Sequence, residues 1–134
     1  MANPIMSLGL FPFSLPTLLY SQLQRRTDWR HARTGRVGTR DATQFVGPGE
    51  DTIALEGTAV AELQDGIASL DQLREMAASG EAWPLVDGAG RVYGTYVITG
   101  LDERHRTFSR NGQPLVIDFG IDLLAVDDPA RGLA

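Results

Sequence analysis

The chain has 134 residues, 43% of them hydrophobic and 22% charged, and its twelve basic residues are all arginine. Length and composition fit one domain over residues 1–134, large enough to bury about two-thirds of its unfolded surface. No cysteine is present, which removes disulfides and thiolate metal sites.

The net charge of -5 is unevenly placed. Residues 1–40 carry six arginines against Asp28 alone, while the remaining 94 residues carry six against sixteen acids. Such polarity suits contacts between identical copies, and equally a basic patch for another partner.

Ile5 to Tyr20 is strongly apolar. It lacks a basic leader, contains Pro12 and Pro16, and at about 16 residues is short for a bilayer span. It reads as buried or interface-forming strand, with Leu10, Phe11 and Phe13 as contact candidates, in a protein made in the cytosol with no membrane partner.

Leu18 to Ala32 follows as a strand in which Gln22, Gln24, Arg26, Asp28 and Arg30 alternate with Leu23, Arg25, Thr27, Trp29 and His31. Gly47-Pro48-Gly49 signals a turn, with Glu50 and Asp51 as its acids. Ile53, Leu55, Ala59, Ala61 and Leu63 then face away from Thr52, Glu56, Thr58 and Glu62, giving a strand or a hairpin kinked at Gly57.

Ser69 and Gln72 have the spacing of a capping box, and Leu70, Leu73, Met76 and Ala77 form one apolar stripe before Gly80. A helix this short must pack on a sheet to be stable. Gly88, Gly90 and Gly94 imitate a phosphate loop but fall out of step with the dinucleotide fingerprint. The residues after them, Val92 to Leu101, have strand composition, so Asp87-Gly88-Ala89-Gly90 reads as a hairpin turn.

Asn111-Gly112 marks another hairpin. A two-residue turn there would set Arg104 and Arg106 against Phe119 and Ile117, so a bulge or longer loop is expected. Leu115, Ile117, Phe119, Ile121 and Leu123 form one apolar strand face opposite Asp118 and Asp122. Asp127 to Ala134 reads as a flexible tail. The fold class is mainly β (α+β): an antiparallel β-sandwich or partly closed barrel with one flanking helix.

His31 and His105 are far apart and neither has a metal-ligand spacing. In the tight-turn register His105 would face Asp118, an arrangement that could orient a general base but is also an ordinary cross-strand pair. No catalytic, cofactor or metal site is expected. The notable constellation is Arg25, Arg26, Arg30, Arg33, Arg36 and Arg40 around Trp29. It could hold phosphate and stack bases, but nucleic-acid-binding domains are usually basic overall. Trp and Arg are also the residues most enriched at protein contacts. The interface reading, with Trp29, Arg25, Arg26, Arg30 and Arg33 as anchors, follows; a small β-barrel module binding nucleic acid is the alternative.

Leu8-Gly-Leu-Phe-Pro-Phe13, Thr27-Asp-Trp-Arg-His31, Arg36-Val-Gly38, Gln44-Phe45, Asp51-Thr-Ile-Ala-Leu-Glu-Gly57, Leu70 to Gly80, Trp83-Pro-Leu85 and Tyr93-Gly-Thr-Tyr-Val-Ile98 occur in this order. Together they resemble the bacteriophage tail protein U (GpU) family over about residues 6–128, with residues 1–5 as an extension. The resemblance implies a structural protein of contractile phage tails and tailocins, needed for tail assembly and located in the virion. It implies a tail-tube-like fold in a sixfold ring of identical copies, joining the tail tube to the baseplate hub. It brings no catalytic residues. In such a ring Asp118 and Asp122 would line a channel, where negative charge lets DNA pass without sticking.

Overall fold

The computed structural model describes residues 6–14, 18–60 and 65–127. The expected extension at residues 1–5, the strand positions Ala61 to Leu63 and the tail at residues 128–134 lie outside the described residues. Two short strands, β1 (Met6–Leu8) and β2 (Phe11–Phe13), precede a long hairpin of β3 (Tyr20–Thr34) and β4 (Ala42–Val60). The helix α1 (Gly66–Ala78) follows, then β5 (Trp83–Asp87), β6 (Val92–Phe108) and β7 (Pro114–Val126). The seven strands form one antiparallel sheet in the order β2-β1-β5-β6-β7-β4-β3.

Alternation decides which face is buried. Ile117, Phe119, Ile121 and Leu123 of β7 lie beside Ile53, Leu55 and Ala59 of β4 in the core, while Glu56, Thr58 and Asp122 are exposed on the other face. Leu115 was expected on the apolar face but is 38% exposed, near the start of β7. The sheet folds back on itself, with an irregularity in β6 between Ile98 and Gly100. As a result Phe13, from one end of the strand order, meets Tyr20, from the other, with ring centroids 5.9 Å apart. Side chains, not a hydrogen-bonded ladder, close the two ends: the fold is sandwich-like and not a closed barrel.

This closure corrects the reading of the apolar N-terminal run. Phe11 and Phe13 are fully buried and touch edge to face at 4.9 Å, and Leu18 is buried with them. They are core, held beneath the sheet's own fold, and are not available to a neighbour. Leu10 is 86% exposed at the β1–β2 turn.

The helix starts earlier than the capping-box spacing suggested. Asp65 is its N-cap, accepting from the Ala68 amide at 3.4 Å, and Ser69 is buried inside the helix. An acid one turn upstream satisfies the free amides just as well, and it allows Gly66 to lie against Ala59 and Ile117. Leu70, Leu73 and Met76 are buried as expected, each burial contributing about 1.5–3 kcal/mol that an isolated 13-residue helix lacks. Gly80, with φ +72°, ends the helix.

One turn assignment changes, and one alternative is settled. Gly47-Pro48-Gly49 is not a turn: it runs inside β4, where Trp29 pairs with Pro48 and Arg30 with Gly47 between two register shifts. A proline is tolerated because β7 pairs with β4 only from Thr52 onward, leaving this stretch with one neighbour instead of two. Of the two readings at Gly57, strand or kinked hairpin, the strand holds. Gly57 lies in continuous strand opposite Tyr20, where a Cβ would come within 2.5 Å of the Leu19 carbonyl oxygen. The hairpin at Asn111-Gly112 has the expected longer loop, closed by the Ser109 amide donating to Gln113. This shifts the register by one residue, so Arg104 lies opposite Asp118 and His105 opposite Ile117. Asp87-Gly88-Ala89-Gly90 is a hairpin turn, its Asp87 carboxylate accepting from the Ala89 and Arg91 amides at 2.9 Å each.

Candidate assembly interface

Below Asp51 the β3–β4 hairpin is part of the sheet; above it, the two strands continue alone. Residues 28–50 therefore form a two-stranded arm projecting past the core, with its tip between Thr34 and Ala42. A lone ribbon has no apolar layer to bury its side chains. Trp29 is 61% exposed, and Phe45, Val46 and Val37 are also exposed. His31 stands edge-on to Phe45 at 5.5 Å, so this arm face carries an aromatic pair.

The base of the arm is clamped. Arg25 donates to both oxygens of Asp51, Nε to Oδ1 at 3.0 Å and Nη2 to Oδ2 at 2.6 Å. Asp51 also faces the Tyr96 hydroxyl, 3.5 Å away, and the Thr27 hydroxyl. The Arg25 hydrogen bond holds the Asp51 carboxyl below the usual carboxylate range, against the opposing effect of burial. Burial, and then the Asp51 charge, push the Tyr96 hydroxyl up. The Arg25 guanidinium lies 5.9 Å from the Tyr93 ring centre, with Arg91 at 4.9 Å from the same ring. Asp51, expected to be a turn acid, is thus the residue that ties the arm to the body.

The cationic side chains divide accordingly. Arg25 is committed to Asp51, and Arg26 lies 3.1 Å from Asp28 in an exposed pair. Arg30, Arg33, Arg36 and Arg40 have no ion-pair partner among the described residues, and all are exposed. Of the sequence-derived anchors, Trp29, Arg30 and Arg33 stand together on the arm, Arg25 and Arg26 stand at its base, and Leu10 lies on a separate turn. Phe45 and Val46 were missed. The signal was the continuation of strand-type residues upstream of Gly47, which the Gly-Pro-Gly turn assignment hid.

Asp118 and Asp122 lie on the sheet face opposite the core, as their alternation requires. Arg106 donates to Asp118 at 2.8 Å and the Thr58 hydroxyl at 2.7 Å, which together lower its carboxyl, Arg106 contributing most. Asp122 sits opposite Ala54 and Gly100, its carboxylate over the side-chain-free Gly100. His105 does not meet Asp118. Its Nε2 is 2.9 Å from Glu103, which also pairs with Arg74 of α1. The one-residue register shift separates the two groups that a general-base arrangement would need. Among the described residues no group of three acidic or histidine side chains could hold a metal ion.

Residues 9–128 match the family described as Phage P2 GpU, and the chain belongs to that family of phage tail proteins. It is 32% identical over 122 residues to a probable tape measure protein of Halomonas phage phiHAP-1. That match takes in 90% of this chain but spans only 14% of the length of that relative. In fold, the chain is similar to a solved chain in the tail of an empty GTA particle with C6 symmetry, at a TM-score of 0.53 and 13% identity. The similarity covers 94% of this chain and 92% of that one. Among the described residues no helix is long and apolar enough to cross a membrane.

Proposed function

We propose that this chain is a structural ring component of a phage tail, made in the host cytoplasm and joining the tail tube to the baseplate hub. The whole of residues 1–134 acts as one domain, and no substrate is turned over. The observation that carries the reading is the arm: a ribbon bearing Trp29, Phe45 and four unpaired arginines gains nothing for its own fold by exposing them. A neighbour that buries them turns this cost into affinity.

Two free sheet edges support the same reading. Among the described residues the outer edge of β3 has no hydrogen-bonded strand beside it, and β6 beyond Tyr96 is paired only with β7. Long unpaired edges are hazardous in a monomer and serve as ready contacts in an assembly. A contact between two different surfaces of identical copies closes into a ring when its rotation permits, and the C6 symmetry of the similar tail chain makes six copies the expected number. In such a ring the Asp118 and Asp122 face would line the channel, giving DNA a surface of like charge.

The test is assembly. Trp29→Ala and Arg30→Glu are expected to leave the fold intact and to stop formation of full-length tails, read by electron microscopy of particles. Normal tails from both variants would reject the arm as the contact. The arginines and aromatics of the arm also suit nucleic acid. Tight binding that weakens steeply between low and moderate salt, from the isolated protein, would favour that second reading.

A further inference from the structure

We infer that the exposed face of helix α1, with the groove at its start, is the surface that receives the arm of a second copy. This rests on the arm-docking reading above and adds the other half of the contact. The groove has a volume of about 180 Å³ and lies between the first turn of α1 and the β6–β7 hairpin. Ala59, Asp65, Gly66, Ile67, Pro114 and Ile117 are among its lining residues, and Ile67 is 48% exposed. A space of about 150 Å³ holds a benzene ring, so one aromatic side chain fits.

Charge identifies the occupant. Ile67, Asp71 and Glu75 are spaced four residues apart, one stripe on the exposed side of α1. Asp65, Asp71 and Glu75 have no ion-pair partner among the described residues, because Arg74 of the same helix is taken by Glu103. The arm has the complementary set: an exposed aromatic pair, His31 with Phe45, on the same strand face as the unpaired Arg33. The pitches also agree. Side chains on one strand face repeat every ~6.7 Å, and i, i+4 positions on a helix every ~6 Å. Phe45 at the groove therefore brings Arg33 within reach of Asp71.

A chain cannot make this contact with itself. The groove is lined by Ala59 near one end of β4, and Phe45 lies toward the other end, about 45 Å away along the strand. The contact is therefore between copies, joining two different surfaces.

The full chain has no cysteine, so paired cysteines report the contact without background. Phe45→Cys with Ile67→Cys in one chain, oxidised at low protein concentration, is expected to give disulfide-linked dimers and higher multimers on a non-reducing gel. Phe45→Cys with Leu124→Cys, on the opposite sheet face, is the comparison pair and is expected to give none. A charge swap adds an independent reading: Arg33→Glu or Asp71→Arg weakens self-association at least about tenfold, and the two together restore most of it. Multimers from the comparison pair but not from the groove pair would overturn this receiving surface and leave docking by the arm standing. A chain that stays monomeric by native mass spectrometry, with no link in either pair and tails still built normally by Trp29→Ala particles, would remove both.

Discussion

Arg25 and Asp51 form a two-point ion pair across β3 and β4, with contacts of 3.0 and 2.6 Å, where the hairpin leaves the sheet. The pair joins the two strands at the base of the arm, and the β3–β4 ladder continues beyond it to Thr34 and Ala42. The clamp holds the ribbon on the side facing Tyr93 and Tyr96 of β6.

The clamp makes stability depend on pH in acid. Asp51 titrates below its ordinary value in the folded chain, so its contribution is complete above the unfolded value of about 3.9 and is lost as pH falls through the lower folded value. Asp51→Asn is expected to cost about 1 kcal/mol at neutral pH, because both partners are partly exposed and screened. In thermal melts the gap between the two proteins should be constant from about pH 7 to about pH 5 and close below about pH 4.

Phe11 and Phe13 should behave as core and their neighbour Leu10 should not. Phe11→Ala and Phe13→Ala are each expected to cost about 3–5 kcal/mol in denaturant unfolding, for lost burial and the cavity left. Leu10→Ala should change stability by less than about 0.5 kcal/mol.

Two glycines of the same sheet should respond differently to an added methyl group. In Gly57→Ala the new Cβ would meet the Leu19 carbonyl oxygen at 2.5 Å and the Phe119 ring at 2.9 Å, costing about 2 kcal/mol or more. Gly120→Ala, whose nearest neighbours lie at 3.9 Å, should cost less than about 1 kcal/mol. Denaturant midpoints of the two variants give the comparison.

Helix α1 should depend on Asp65 for its start. Asp65→Ala removes the acceptor for the Ala68 amide and is expected to cost about 1 kcal/mol. Gln72→Ala, which a capping box at Ser69 would make costly, should be neutral within about 0.5 kcal/mol in the same unfolding experiment.

The sequence by itself determined the elements whose signal is local. The period-two alternation of Ile117 to Leu123, the stripe of Leu70, Leu73 and Met76, and the turn at Asp87 to Gly90 each depend only on a few neighbours in the chain. The mainly antiparallel class and the exposed cationic face around Trp29 follow from the same local patterns. Only the tertiary structure decided what the apolar residues of the first strands touch, because burial of Phe13 depends on Tyr20 arriving from the far end of the strand order. It also decided that Gly47-Pro48-Gly49 continues a strand. A proline is accommodated where one side of the strand is unpaired, and here the pairing of β4 with β7 stops at Thr52. The separation of His105 from Asp118 came from one residue in a loop, since a single-residue slip exchanges the two faces of a strand. Periodicity fixes which residues share a face; long-range packing fixes what that face meets.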